Sequence, residues 1–522
     1  MLVPLNWLKE YVEIDVSPEE LGEMLTMAGL ELEALHYRGK GLENIIVAQI
    51  KKIDKHPNAD RLSLCIVTDG TTDYNVVCGA SNMKAEDKVA LATIGTILPP
   101  TEKFTDGLKI KKSKIRGEVS EGMLCAEYEL GLSESSDGIM ILPDDLVPGT
   151  KIVDALSLND AIFEIAITPN RPDCLSVYGI AREVAAILGK TLKQPEYLLK
   201  EDGKNISSVV DVEIKNDTGC LRYSCRYIDG VKISESPDWL KNRLESCGIR
   251  SINNVVDITN YVLLEFGQPL HAFNHNLLKG KKIIVRFAEN EEVITTLDGV
   301  ERKLTSDDIL ICDEEKPIAL GGIMGGLKSE VEETTENVLL ESAYFDPTTI
   351  RKTSKRTGLR SDSSYRFERG VDPNNVVNSL NRAASLILEF AGGKLSKSAI
   401  DVYKKEILPC EVEISVERIN RVLGINITTS EIVEILQSLK IEIVESDNNV
   451  LKLLIPTFRV DITREIDVIE EVGRMVGYNN IPTVTPYVEM TTNEIEPSRK
   501  MVDQLKQTFI SSGFFEAVNY SF

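Results

Sequence analysis

The spacing of hydrophobic residues changes twice before residue 190, and that change forbids one continuous core built from consecutive segments. Behind Ser17, a residue able to cap a helix, Leu21, Met24, Leu25 and Ala28 recur at i, i+3, i+4 and i+7, so a helix is expected over 18–29. From 45 to about 148 the pattern becomes short β-rich runs at 45–50, 62–68, 74–78 and 89–93, broken by Asp69-Gly70, Gly79 and Pro99-Pro100. Closely spaced short strands of this kind suggest a small barrel. Helical spacing then returns over 173–189, with Ile180, Val184, Ile187 and Leu188 as the buried stripe and Gly189 as the stop. Residues 1–39 are too few for a stable core, so the later helix is expected to pack against them. The barrel is then an insertion.

At 522 residues the whole chain far exceeds what one core supports, and several domains must follow one another. The expected division is an N-terminal domain from 1–39 and 151–199, the barrel at 40–150, and an α+β domain, or two intertwined, at 200–400. Over 401–485 the signals are compact: a helix at 416–423, and a second helix opened by the capping box Thr428-Thr-Ser-Glu431 with Ile432, Ile435, Leu436 and Leu439 on its buried face. An extended run at 450–455 and a helix from about Arg464 to Met475 complete a winged-helix or three-helix pattern with a strand pair. Residues 486–522 begin an amphipathic helix at Arg499 and end inside a strand-like run, 516–522. A strand without its partner leaves backbone groups unpaired, so a longer parent is expected.

A net charge of −23 excludes a chain that binds nucleic acid over its whole surface, because polyanions need a local excess of Lys and Arg. Two stretches have one: 103–116, with Lys109, Lys111, Lys112, Lys114 and Arg116, and 351–369, with Arg351, Lys352, Lys355, Arg356, Arg360, Arg366 and Arg369. Each is also readable as a solvated charged face. No apolar run approaches the ~18 residues that cross a bilayer, and residues 1–11 lack the basic and apolar parts of a secretory signal. A cytoplasmic protein with no membrane attachment is expected. The nine cysteines are scattered without a C-x-x-C pair, which points to free, mostly buried thiols and away from a zinc knuckle.

Four segments, taken together and in order, resemble one family. They are Asn6-Trp-Leu-Lys-Glu-Tyr11 with Leu25-Thr-Met-Ala-Gly-Leu-Glu31; His56-Pro-Asn-Ala-Asp-Arg-Leu62 with Lys114-Ile-Arg-Gly-Glu-Val-Ser-Glu-Gly-Met123; Asp257-Ile-Thr-Asn-Tyr261 with Gly267-Gln-Pro-Leu-His-Ala-Phe273; and Gly358-Leu-Arg-Ser-Asp-Ser-Ser-Tyr-Arg-Phe-Glu-Arg-Gly370. The family is that of bacterial phenylalanyl-tRNA synthetase beta subunits. The second pair is shared with other tRNA-binding OB-fold modules; the central motifs are specific.

The resemblance implies an α+β multidomain fold: an OB-fold barrel inserted in an N-terminal α+β domain, a central α+β editing domain, a three-helix or winged-helix-like module, and the start of a catalytic-like antiparallel α+β domain. It further implies an alpha-two beta-two assembly with an alpha subunit that holds the ATP-dependent aminoacylation site, and phenylalanine tRNA as the nucleic-acid partner. Anticodon recognition belongs to a part of the family's subunit beyond these residues. Rival readings are a non-catalytic tRNA-binding scaffold and a free-standing trans-editing hydrolase.

Three candidate sites follow. By resemblance, Thr259, Asn260, His271, Gly321, Gly322 and Glu341 line a pocket that hydrolyses tyrosine misattached to phenylalanine tRNA. A synthetic pocket shaped for a bare ring rejects an added hydroxyl weakly, whereas a second pocket built to bond that hydroxyl discriminates well. Glu341 is able to accept the phenol's proton, and His271 to orient the ester or the terminal adenosine; read alone, His271 is also a structural histidine. The spacing His271-x-x-x-His275 is half a zinc motif with Ala272 where Glu belongs, and the family usually has Asp at the position of Asn274. In Gly321-Gly-Ile-Met-Gly-Gly326, Leu327 stands where a phosphate loop needs Lys, so a tight turn is the better reading.

The second site, Asp461, Asp467, Glu470 and Glu471, has three carboxylates at helical i, i+3, i+4 spacing. On spacing alone, acids favoured by the helix dipole are the better reading of such a cluster; by resemblance these four positions hold magnesium. The third is the barrel's basic strip, Lys109, Lys111, Lys112, Lys114 and Arg116, implied to contact tRNA by charge and shape. His56 and Asp60 are expected to form a turn.

Overall fold

The computed structural model describes residues 1–522 except 102–104, 134–136, 157, 216–218, 448, 486–487, 489–494 and 522. Lys103 of the basic stretch and Phe522 therefore lie outside the described residues. The chain divides into two compact units, Met1–Tyr478 and Asn479–Phe522.

Interruption of the N-terminal domain is written into its smallest sheet. Strand Ala161–Ile165, from beyond the barrel, lies between Leu2–Pro4 and Leu32–Tyr37, from before it, and pairs antiparallel with both. Ser17 caps the helix Pro18–Met27 through the Glu20 N–H, and Gly189 closes the helix Val177–Leu188 in the left-handed conformation that glycine adopts without a Cβ clash. Trp7, Leu8, Leu21 and Leu25 share one core with Ile180 and Val184. The two halves thus bury each other's apolar faces, and neither closes a core without the other.

The insert is a strongly curved sheet in the order Gly122–Leu124, Lys88–Thr93, Ile45–Lys55, Ser63–Thr68, Asp73–Cys78. The Glu121 N–H donates to the Asn75 carbonyl at 2.8 Å, bringing the first edge back to the last and nearly closing a barrel. Period-2 alternation feeds two cores: Ala48, Val89 and Leu91 face one, and Val47, Ala90 and Ala92 the other.

Two sheets build the central region. One runs Leu270–Asn274, Asn337–Phe345, Cys220–Asp229, with Lys394–Leu395 and Ile400–Tyr403 both on the last. The other runs Asp211–Ile214, Lys282–Phe287, Ile309–Cys312, Pro317–Leu320, Met324–Gly325. Along Asn337–Phe345, Val338 and Leu340 face the helices Asn254–Phe266 and Val376–Phe390, while Leu339, Ala343 and Phe345 face the second sheet. Because Ile400–Tyr403 pairs into this region, the next module opens at Cys410 and not at 401. That module has three strands, Cys410–Ser415, Val450–Ile455 and Glu442–Asp447, where a strand pair was expected. The helix Thr429–Ser438 carries the anticipated capping box between Thr428 and Glu431.

In the second unit, the helix Pro497–Ser511 is followed by 514–521 without regular structure, so the strand expected at 516–522 does not form in its described residues. Among the described residues of this unit, nothing offers that segment's backbone a ladder partner. Among the described residues no helix is long and apolar enough to cross a membrane.

Candidate functional site

His271 and Glu341 are brought together by strand register. They are direct partners on neighbouring antiparallel strands, and both point away from the helices into a hollow of about 60 Å³ between the two central sheets. Gly322, Met324, Gly325 and Phe367 also line it. Gly322 sits in the turn after Pro317–Leu320 with φ +69°, and a Cβ there would lie 2.8 Å from Ile350 and 2.9 Å from Phe345. Only glycine tolerates both the conformation and the crowding.

Neither polar side chain is neutralised by a charge partner among the described residues. Glu341 is 6% exposed, and burial pushes its carboxyl up to about 8 against the opposing effect of a 2.8 Å hydrogen bond donated by Tyr223 Oη to Oε2. Burial likewise pushes His271 down to about 4, so the imidazole is neutral at physiological pH. Its Nε2 is shut off from solvent and has no hydrogen-bond partner among the described residues. The ring lies over Gly325, where a Cβ would be 2.6 Å from Cε1 and 2.9 Å from Nε2. The site is therefore a buried recess with one acid and one imidazole, in which burial disfavours charge on both.

The other positions expected beside them lie elsewhere. Thr259 and Asn260 are on the helix Asn254–Phe266, which packs against the opposite face of the same sheet, and Thr259 Oγ1 donates to the Val256 carbonyl at 2.7 Å. Strand alternation explains the separation: Leu340 faces that helix, and its neighbour Glu341 faces away. Gly321 packs on Ile309, to whose carbonyl its N–H donates at 2.8 Å, and does not line the hollow. Gly325 and Tyr223 are the residues that sequence reasoning missed. Gly325 was visible inside the glycine-rich turn, whereas Tyr223 is linked to Glu341 only through strand register.

The four carboxylates of the second candidate site do not share a donor cluster. Arg459 bonds Asp461 through two nitrogens, each at 2.9 Å, and reaches Glu471 at 2.5 Å. Arg474 bonds both oxygens of Glu471, at 2.9 and 2.6 Å. Burial works against the charge on Glu471, but these arginine bonds hold its carboxyl well below the usual range. Asp467 pairs with Arg464 at 2.9 Å and takes the Thr463 and Arg464 N–H groups, while Glu470 is exposed. A divalent cation needs oxygens free to converge on it, so this arrangement does not fit magnesium held by the chain alone. The network continues from Arg474 to Glu183 at 2.7 Å and on to Arg171, tying the module to the N-terminal domain. Among the described residues, the acid and thiol ligand atoms close enough for a metal are those of Asp173, Cys174 and Glu183, and Arg171 bonds all three.

The basic strip of the barrel is only partly free. Lys109 and Lys111 line a cleft of about 660 Å³ with Leu62, Cys78 and Met123, while Lys112 pairs with Glu121 at 2.8 Å. Lys114 lies on the short strand Ser113–Ile115, and Arg116 holds its turn at φ +51°. His56 is a turn residue: its Nδ1 accepts from the Asn58 N–H at 3.0 Å, and its Nε2 lies 3.2 Å from the Ile115 carbonyl. In the second basic stretch, Arg356 pairs with Asp308, Arg366 with Asp362 and Arg369 with Glu368, so much of that charge is answered internally.

Three family models match: a putative tRNA binding domain over 45–151, a B3/4 domain over 219–392 and a tRNA synthetase B5 domain over 412–478. The phenylalanine–tRNA ligase beta subunit of Geobacter metallireducens is 50% identical over 522 residues, which are 100% of this chain and 64% of that protein. Its counterpart from Geobacter sulfurreducens is 48% identical with the same coverage, and that of Fusobacterium nucleatum 45% identical over 100% of this chain and 65% of its own. A solved N-terminal fragment of the Pyrococcus horikoshii phenylalanyl-tRNA synthetase beta subunit aligns over 91% of this chain and 99% of that one, at 16% identity and a TM-score of 0.38, too low to bear on the fold. The chain spans about 64% of the length of the first of these relatives and is similar, from end to end of its own sequence, to phenylalanine–tRNA ligase beta subunits.

Proposed function

We propose that this chain is the tRNA-holding and error-hydrolysing portion of a phenylalanine–tRNA ligase, working beside a separate alpha subunit that attaches phenylalanine at the expense of ATP. The observation that carries the reading is the pairing of His271 and Glu341 across one register step, in a hollow where no described cation answers the acid. Glu341 meets the phenolic hydroxyl of a tyrosyl ester. A phenylalanyl ring offers that acid nothing and leaves it unpaired, which is the asymmetry an editing pocket needs. His271, neutral and without a partner at Nε2, positions the ester or its attacking water. The OB-like barrel holds tRNA through Lys109 and Lys111, the strip residues that line its cleft. Magnesium at Asp461, Asp467, Glu470 and Glu471 needs ligands from outside this chain.

One observation favours the scaffold reading instead. A hollow of about 60 Å³ is well below the roughly 300 Å³ of ordinary ligand pockets, so a ring enters only if a lining side chain moves. Hydrolysis of tyrosyl-tRNA decides between the two. With the alpha subunit present, the chain is expected to deacylate the tyrosyl ester and spare the phenylalanyl one, and Glu341→Ala to abolish that preference. Absence of hydrolysis in the unaltered assembly favours the scaffold.

A further inference from the structure

Resting on the editing reading above, we propose that Tyr223 is the positioning residue that decides which oxygen of Glu341 meets the substrate's hydroxyl. Tyr223 is fully buried on the central strand Cys220–Asp229, opposite Ala343. Glu341 lies two residues from Ala343 on the same face, so the Tyr223 ring crosses the sheet diagonally to reach it. Its Oη donates to Oε2 at 2.8 Å. A phenol has one proton, and here it is committed. The carboxyl plane is thereby fixed, and Oε1, to which no described residue donates, is the oxygen left for the hollow that Glu341 lines.

The groups around Glu341 leave this task to Tyr223. Its register neighbours are His271 on one side and Cys225 on the other, with Cys220 nearby. Burial keeps both thiols protonated and the imidazole neutral, so none supplies a positive charge. Tyr223 is the neighbour whose hydrogen bond favours the ionised carboxyl, against burial that disfavours it. Once Glu341 has lost its proton, a tyrosyl substrate brings a second donor, to Oε1, and completes the carboxylate's partners. A phenylalanyl substrate leaves Oε1 bare.

The test is deacylation of tyrosyl- and phenylalanyl-tRNA by the full chain with its alpha subunit, followed from pH 6 to 9 in unaltered, Tyr223→Phe and Glu341→Gln forms. Activity on the tyrosyl ester is expected to rise with pH as Glu341 ionises. Tyr223→Phe keeps the ring that fills the core and removes only the donor. It is expected to raise KM for the tyrosyl ester about tenfold with kcat little changed, the scale of one lost hydrogen bond to a charged group, and to move the rise to higher pH. Glu341→Gln has no carboxyl to titrate and should lose the rise altogether. A Tyr223→Phe protein with unmoved KM and pH profile overturns this inference while leaving the editing reading intact. An unaltered assembly that hydrolyses neither ester removes both.

Discussion

The carboxylates at 461–471, pointed to by their spacing, and Glu341, pointed to by resemblance alone, are treated in opposite ways by the fold. At 459–474 every buried acid is answered: Asp461 and Glu471 share Arg459, and Glu471 has Arg474 as well. Among the described residues, Glu341 in the central recess has one neutral donor and His271 Nε2 has none. Satisfied charges hold a structure together, whereas a buried polar group that the protein leaves without a full set of partners is available to a ligand. That difference separates a joint between domains from a candidate site more sharply than the residue types do.

Breaking the joint should produce the largest effect. Arg459→Met keeps much of the side chain's bulk but strands Asp461 and half of Glu471, and a broken buried pair typically loses about 3–5 kcal/mol. Urea unfolding should show that loss as a lower midpoint. Because Glu471 is held below its ordinary range, the network's stabilisation is fully present at neutral pH and disappears as acid protonates Glu471 in the folded state. A loss under about 1 kcal/mol would place this network with ordinary surface pairs and dissolve the contrast.

The recess should respond with the opposite sign. The Glu341 carboxyl is raised from 4.5 to about 8, so the folded state holds a proton that the unfolded chain releases, and stability falls as pH rises across that interval. Glu341→Gln removes the ionisation and still accepts from Tyr223. Its free energy of unfolding should match that of the unaltered chain near pH 4.5 and exceed it progressively up to about pH 8, by on the order of a few kcal/mol. A substitution that destabilises at every pH would mean the acid is structurally satisfied, like those at 459–474.

How much of this was legible in the sequence depended on whether the signal was local. The helix Pro18–Met27, the strands of the barrel and the Thr428–Glu431 capping box follow from spacing within a few residues, and each forms about where the pattern places it. The inserted barrel was legible because 1–39 could not bury its own apolar face. What local pattern could not supply was register. Thr259 and His271 are close in sequence but on opposite sides of one sheet, and Tyr223, 118 residues from Glu341, is in hydrogen-bond contact with it. Nor did acid spacing at 461–471 reveal Arg459 and Arg474, whose part emerges only when a turn and a helix fold side by side.

The smallest expected effect sharpens the same contrast. Glu470 is the exposed member of its set, so Glu470→Ala should change stability by no more than about 0.5 kcal/mol, as at most surface positions. Millimolar magnesium should also leave the unfolding midpoint of this chain where it was. The ion demands near-octahedral oxygen ligands and sheds its own water reluctantly, and the oxygens nearest Glu470 in sequence already serve Arg459, Arg474 and Arg464. Should magnesium raise that midpoint, and Glu470→Ala cancel the rise, the arginines must yield their carboxylates to the ion. The joint between the module and the N-terminal domain would then itself be a ligand site.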